Sequence, residues 1–362
     1  MRLNVLLALC LFTACAEDDV EVLPAPECLD PFAGYLNPDC DAYVTHRLDS
    51  DTYTKFYRFR DWWVFAGANE LRVRSDPSGP DHDSYTQVRL GVHEFLEQGE
   101  DLFVCTERGM FRVTIDGFIE SLNERGCQDL QPIDDRLVVV ANHAPNLEWD
   151  GTVNGIYEFS PLDTSYGRLD VPVAELEDHV RFAGVVAHRG HYFAKAEYGI
   201  EVGVLEYDTD WNFVRLHHST TTPALDHDFQ LHDHNAQLFT WKNRLFLFAR
   251  NGSVPMLYEK KEHRFELLRF WQSEIAAEDN IDWRLRTILR ERFVPRADTL
   301  YCPGDGGLVK FYESDADTLR YTLTVDPNLP TNIWADLHFD NHETMAAVLI
   351  NHQFLVERNC AE

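Results

Sequence analysis

A short segment that recurs along the chain constrains the fold more than any other feature of the sequence. It is clearest at residues 109–117, where a glycine precedes alternating apolar and polar residues and Asp116-Gly117 supplies a turn. Strong copies begin at Gly155, Gly203 and Gly307, and weaker copies begin at Asn69, Pro255 and His352. The first residues of successive copies lie 40 to 52 positions apart. A period of this length indicates an architecture built from repeated units.

Further strand-like segments surround each copy. A run of apolar residues precedes it, as at 102–104 and 245–248, and an alternating segment follows it, as at 118–122 and 265–268. With one more strand before each pair, every unit contains four short strands. Repeated four-stranded units resemble the blades of a β-propeller. The sequence therefore predicts an all-β fold, a propeller of seven four-stranded blades, with a pair of β-sandwiches or eight blades as alternatives.

Two regions need separate predictions. A propeller ring has to close, and we expect a strand near 53–59 to meet a strand near 354–357, which removes exposed sheet edges. The apolar spacing in residues 272–292 predicts a short helical insertion between two blades.

The N-terminus predicts export. Residues 1–14 carry one cation and a short apolar run, which is typical of a removable signal peptide. The segment Phe12-Thr13-Ala14-Cys15 resembles a bacterial lipobox, although Phe12 stands where leucine is usual. The resemblance implies lipidation of Cys15 and a cell-envelope lipoprotein, in the outer membrane if the source is Gram-negative; ordinary secretion is the alternative. Residues 15–50 are then an acidic, proline-containing tether, and 51–362 form the propeller domain.

The cysteines fit an exported protein. Cys10 lies in the signal and Cys15 at the lipid site, which leaves an even number for disulfides. Fifteen pairings of six cysteines are possible. Proximity in sequence favours Cys28–Cys40 and Cys105–Cys127, and the remaining pair is Cys302–Cys360.

Charge excludes some partners. The chain has a formal net charge of −29. Such a surface repels phosphate backbones and anionic headgroups, so we expect no nucleic-acid partner and no membrane contact beyond a lipid anchor.

The densest candidate chemistry lies in a long connection over residues 217–234. His232 and His234 are two positions apart, so in a strand they project to the same side. With a carboxylate from Asp226 or Asp228 and a third imidazole from His143, His217 or His227, they have the composition of a transition-metal site. The candidate ligands are His232, His234, Asp228, His227 and His143. A solvated loop rich in histidine and aspartate is the competing interpretation.

Two functions from different classes follow. The sequence contains no GxSxG elbow, phosphate loop, dinucleotide motif or HExxH helix. This favours a non-catalytic surface or periplasmic lipoprotein whose propeller rim binds a protein, glycan or small ligand. The alternative is a hydrolase or oxidoreductase that depends on a divalent transition metal held by residues 217–234. No catalytic residue is assigned.

Overall fold

The repeated segments form antiparallel strands, and the strands assemble into seven separate sheets. The computed structural model describes residues 42–50, 52–142, 154–170, 180–198, 201–217, 237–251, 254–267, 271–273, 293–304, 307–313, 319–324, 334–339 and 345–359. Within these ranges every regular element is a strand. The fold is a seven-bladed β-propeller, as the sequence predicts.

The first four blades follow one another along the chain, and each runs from its innermost to its outermost strand. Blade 1 contains β2 (Tyr53–Phe59), β3 (Trp62–Gly67), β4 (Glu70–Arg74) and β5 (Asp83–Thr86). Blade 2 contains β6 (Val92–Gln98), β7 (Asp101–Thr106), β8 (Gly109–Val113) and β9 (Ile119–Asn123). Blade 3 contains β10 (Cys127–Ile133), β11 (Arg136–Ala141), β12 (Gly155–Ser160) and β13 (Ser165–Arg168). Blade 4 contains β14 (Val180–His188), β15 (His191–Tyr198), β16 (Glu201–Tyr207) and β17 (Phe213–His217).

The last three blades complete the ring, and two of them depart from the simple pattern. Blade 5 contains β18 (Gln237–Trp241), β19 (Arg244–Asn251), β20 (Val254–Lys260) and β21 (Phe265–Leu267). Blade 6 contains β23 (Val294–Arg296), β24 (Thr299–Gly304), β25 (Gly307–Glu313) and β26 (Leu319–Thr324), and β22 (Trp271–Ser273) pairs in parallel with β26. Blade 7 contains β27 (Trp334–Phe339), β28 (Met345–Ile350), β29 (Phe354–Asn359) and, as its outer strand, β1 (Ala42–Arg47).

The hydrophobic core is divided among the interfaces between blades. Each of seven buried clusters joins one pair of neighbouring blades, and together they run once around the ring. The cluster that joins the last blade to the first packs Tyr53, Phe56 and Phe65 against Leu349 and Leu355. Because both faces of a blade are covered by neighbours, the middle strands are almost entirely apolar, as in the fully buried run Val138–Val140.

The recurring sequence segment is the third strand of every blade. Its seven copies coincide with β4, β8, β12, β16, β20, β25 and β29. The glycine that opens the motif has a steric reason in blade 2, where Gly109 has a φ of +146°. A Cβ atom at Gly109 would lie 2.1 Å from the carbonyl oxygen of Asn123, so only glycine allows β8 and β9 to meet there.

The ring closes through a different strand from the one expected. β29 pairs antiparallel with β1, in a register that runs from Ala42 opposite Asn359 to Arg47 opposite Phe354. The C-terminal partner was predicted, but the expected N-terminal strand at 53–59 is instead the innermost strand of blade 1. Its side chains pack on blade 7 without pairing with it. Residues 42–47 are therefore part of the propeller.

The predicted helical insertion at 272–292 is not tested as a whole. Gln272 and Ser273 belong to strand β22, so the helix expectation is wrong for these two residues. Residues 274–292 lie outside the described ranges. In the described part of the chain, no helix has the length and apolarity needed to cross a membrane.

The disulfide Cys105–Cys127 confirms one predicted pairing. It joins β7 of blade 2 to β10 of blade 3, and both cysteines are fully buried. Cys302 is also buried, on β24, but its expected partner Cys360 lies outside the described residues. The pairs Cys28–Cys40 and Cys302–Cys360 therefore stay predictions.

Replacing Cys105 and Cys127 together by alanine is expected to destabilise the fold. The bond spans 22 residues of sequence, and closing a loop of this length contributes about 3 kcal/mol through the unfolded chain. Urea unfolding followed by circular dichroism measures the difference in the free energy of unfolding. An unchanged midpoint in the double variant would show that the cross-link between blades 2 and 3 adds no stability.

Candidate functional site

The connections between strands divide the propeller into two unlike rims. Antiparallel order places the link between the second and third strands on the same side as the link from one blade to the next; we call this side the loop rim. The opposite side, the turn rim, carries the links between first and second strands and those between third and fourth strands. In blades 1 to 6 the links between first and second strands are two-residue turns that begin with a positive φ, at Arg60, Gly99, Asp134, Arg189, Lys242 and Ala297. Such turns match the twist of paired strands.

The loop rim carries long connections from blade 3 onward. Residues 142–154 separate β11 from β12, and residues 218–236 separate β17 from β18. Further connections cover 169–179, 274–293 and 325–333. Long connections on a rigid scaffold are the usual positions of binding residues.

The residues predicted from sequence to bind a metal fall on these connections and lie outside the described ranges. They are His143, His227, Asp228, His232 and His234, together with the alternative carboxylate Asp226. Among the residues that the structure describes, no group of three histidine, cysteine or acidic side chains is placed to hold a metal ion. The metal site and its ligands therefore stay a prediction.

The roots of both long connections are fixed to the next blade by side-chain amides. Asn142, directly before residues 143–153, is 2% exposed; it accepts a hydrogen bond from Phe182 N (2.9 Å) and donates one to Phe182 O. Gln237, directly after residues 218–236, accepts from Phe293 N (2.6 Å) and donates to Phe293 O (3.0 Å). Each amide pairs with a backbone peptide as a neighbouring strand would. These contacts hold the loop rim in place, and the sequence pattern did not reveal them.

Inner-strand carboxylates around the central axis serve the same structural purpose. In blades 1 to 4 and 7 the inner strand contains a bulge. The residues directly after the bulge are Lys55, Glu94, Asp129, Gly184 and Asp336. Val185 N of blade 4 donates to Asp129 Oδ2 at 2.9 Å, and Phe56 N of blade 1 donates to Asp336 Oδ2 at 3.0 Å. Since these carboxylates bridge blades, they belong to the scaffold.

Two histidines of the inner strands, His93 and His338, are also accounted for by their surroundings. Burial lowers the pKa of His93 to about 4, and the charge of Lys55 acts in the same direction. His93 is therefore neutral at physiological pH. His338 lies against the rings of Phe56 and Tyr57, at centroid distances of 6.2 and 5.3 Å. Neither arrangement resembles a catalytic acid or base.

A buried charged cluster lies between blades 4 and 5 near the turn rim. Its centre is Glu206 on β16, which is 7% exposed. His217 Nε2 lies 2.6 Å from Glu206 Oε2, and His191 Nδ1 lies 3.2 Å from Glu206 Oε1. Arg215 Nε and Lys260 Nζ approach Glu206 Oε2 at 3.8 and 3.9 Å. One carboxylate thus faces four groups that are or can become cationic.

The cluster sets the protonation of its members. Burial favours the neutral form of Glu206, but the His217 hydrogen bond and the Lys260 charge outweigh it and leave the Glu206 pKa below its ordinary value. Burial lowers the pKa of His217, and Glu206 only partly opposes this. His217 is therefore a neutral donor to an ionised carboxylate at pH 7. The sequence suggested His217 as an alternative metal ligand, but the structure commits its Nε2 to Glu206.

Beside this cluster the turn rim contains a groove of about 340 Å³, which we call the turn-rim groove. It is lined by residues 187–192 and 240–243, with Asp134 and Thr209. It thus joins the turns of blades 3, 4 and 5. His188 and His191 flank the turn between β14 and β15, on the rim opposite the long connections. Only the fold shows that three turns distant in sequence meet around them.

Comparison with known proteins supports the fold alone. No protein-family model matches the sequence, and no curated protein sequence is similar to it. The extracellular domain of the hybrid two component system BT3049 from B. thetaiotaomicron has a similar structure, with a TM-score of 0.53 and 10% identity. The match covers 88% of this chain but only 41% of that domain's chain.

Two further structures match this chain over nearly their own whole length. The WD40 domain of Neurospora crassa Pan2 has a TM-score of 0.50 and 9% identity, over 88% of this chain and 96% of its own. YCF48 from Cyanidioschyzon merolae has a TM-score of 0.50 and 10% identity, over 88% and 99%. At these identities the similarity defines the architecture and does not transfer a ligand or an activity.

Proposed function

We propose that this chain is an exported lipoprotein whose propeller is a non-catalytic binding module. The loop rim is the binding surface, for a protein, a glycan or a small ligand. The observation that carries the proposal is the contrast between the rims: from blade 3 onward one side has long connections rooted by Asn142 and Gln237, and the other side has links of at most eight residues. A closed ring with fixed loop roots holds the binding surface in a defined conformation, which reduces the conformational entropy lost on binding.

Other features support export and a non-catalytic role. The lipobox-like segment ending at Cys15 supports export and lipid anchoring. A disulfide between blades fits an oxidising compartment. Several ionisable groups of the described residues bridge blades or pair with one another, as Asp129 and Glu206 do. Groups held in this way belong to the scaffold.

Metal content distinguishes this proposal from the metal-dependent enzyme. We expect the purified domain, residues 28–362, to contain no stoichiometric transition metal after dialysis, as measured by elemental analysis. One tightly held metal per chain that is lost in the double variant His232→Ala/His234→Ala would contradict the binding-module proposal and support the enzyme. The control is His82→Ala/His263→Ala, which removes two histidines of the described turns and should leave the metal content unchanged.

A further inference from the structure

The lining of the turn-rim groove contains two cationic side chains and one carboxylate, in a protein whose formal net charge is −29. Arg189 lines the groove, is exposed, and forms no side-chain hydrogen bond or ion pair with the described residues. The only carboxylate in the lining, Asp134, already accepts a hydrogen bond from the hydroxyl of Tyr192. Lys242 contributes less, because its Nζ lies 3.1 Å from Asp298 and 3.3 Å from Glu313. The Arg189 guanidinium is therefore available to pair with a bound anion.

The charge of Arg189 affects the protonation of its neighbour His188. Burial lowers the pKa of His188, and the charges of Arg189 and Lys260 lower it further. His188 is therefore a neutral imidazole at the groove wall, where it can donate or accept a hydrogen bond. Of these causes, the charges of Arg189 and Lys260 also favour a bound anion, whereas burial does not.

A second nitrogen-containing side chain lines the groove next to Arg189. His191 lies on its wall, with Nδ1 3.2 Å from Glu206 Oε1 in an ion-pair contact. An imidazole can donate a hydrogen bond from a protonated ring nitrogen.

The rest of the lining is uncharged and includes three further polar side chains. Thr209, Thr240 and Asn243 contribute hydroxyl and amide groups, which both donate and accept hydrogen bonds. The volume of about 340 Å³ lies at the lower end of the range for small-molecule sites. Such a groove suits a compact ligand that carries one anionic group and several hydroxyls.

We propose that the turn-rim groove binds a small hydroxylated carboxylate of the size of a hexuronic acid. Arg189 pairs with the carboxylate, a geometry for which its planar guanidinium is suited. His191 donates to the same group, and the threonines and Asn243 bind the hydroxyls. This site lies on the rim opposite the proposed binding surface, so each can fail without the other.

Calorimetric titration of the full mature chain with glucuronate tests this proposal. Glucose is the matched probe, since it keeps the ring and hydroxyls and lacks the carboxylate. We expect glucuronate to bind and glucose to bind at least about tenfold more weakly, as expected for the loss of one charge-assisted hydrogen-bonded pair. Absence of glucuronate binding at millimolar concentration, or equal binding of both sugars, would overturn the proposal.

Substitution of Arg189 locates the site. Arg189→Gln should weaken glucuronate binding about tenfold or more, and Arg189→Lys should lose less because the charge remains. The control is Arg60→Gln, at the same turn position of blade 1, where φ is 54° compared with 51° at Arg189. Arg60→Gln should bind as wild type does. Unaltered binding by Arg189→Gln, with thermal midpoints equal in all variants, would overturn the assignment.

Discussion

Replacing Arg74 by alanine is expected to lower the free energy of unfolding by about 3 kcal/mol. The Arg74 side chain, on β4, is only 2% exposed, and it binds Asp81 Oδ1 at 2.7 Å and Asp49 Oδ1 at 2.8 Å. It also donates to Pro77 O and to the hydroxyl of Tyr53, both at 3.1 Å. Truncation removes all four contacts and leaves a cavity beside the Tyr53 ring.

The loss should stay near the lower end of the range for buried ion pairs. Asp49 is 52% exposed and Asp81 is 25% exposed, so water can solvate both carboxylates once the cation has gone. The charge of Arg74 also helps to hold the pKa of Asp49 below its ordinary value against the opposing effect of burial. Removal of Arg74 should therefore raise the pKa of Asp49 as well.

Arg72 provides a matched control, because it binds the same two aspartates from the surface. Its Nη1 lies 3.1 Å from Asp49 Oδ2 and 2.9 Å from Asp81 Oδ2, but its side chain is 27% exposed. Arg72→Ala should cost only about 0.5 kcal/mol, as exposed ion pairs do. Urea unfolding of both variants measures the comparison. Equal losses would show that burial of Arg74 is not what makes it stabilising.

The sequence predicted the blades because their signal is local. The alternating strand recurs with its neighbours every 40 to 52 residues, and each copy is the third strand of a blade. The burial of Arg74 was not predicted, because the alternating sequence Glu-Leu-Arg-Val-Arg of β4 predicts arginines that face solvent. Its burial depends on Asp49 and Asp81, which come from other segments. The pattern of one strand contains no information about these partners.

Closure was missed for a related reason. The segment 42–47 lies within the residues assigned from sequence to the acidic, proline-containing tether, and it is too short to show strong alternation. Its partner, Phe354–Asn359, lies at the other end of the chain. The longer aromatic segment 53–59 gave the clearer strand signal, but it forms the inner strand of blade 1.

For the candidate site, the sequence predicted the rim on which the long connections lie better than the contacts that hold them. The phase of the repeats correctly placed the residues before and after the long connections on one rim. It did not reveal the amide pairs of Asn142 and Gln237, because a polar residue beside a loop has no distinctive pattern. The turn-rim groove was missed since it is assembled from turns of three blades.

Removing strand β1 should have the largest effect of any change considered. A chain that begins at residue 52 loses the outer strand of blade 7, the buried side chain of Leu48 and the Asp49 partner of Arg74. It also exposes the edge of β29, which can then pair with other chains. We expect stability to fall by about 5 kcal/mol or more, comparable to the whole stability of many domains.

The central claim is that seven blades form a ring closed by residues 42–47, and a pair of truncated chains tests it most directly. The measurement is urea unfolding of chains covering 41–362 and 52–362, each compared with the mature protein and checked for aggregation. The closed ring predicts that the chain beginning at 41 unfolds at the same urea concentration as the mature protein, and that the chain beginning at 52 is largely unfolded or aggregated. Equal unfolding midpoints for the two truncated chains would contradict closure by β1.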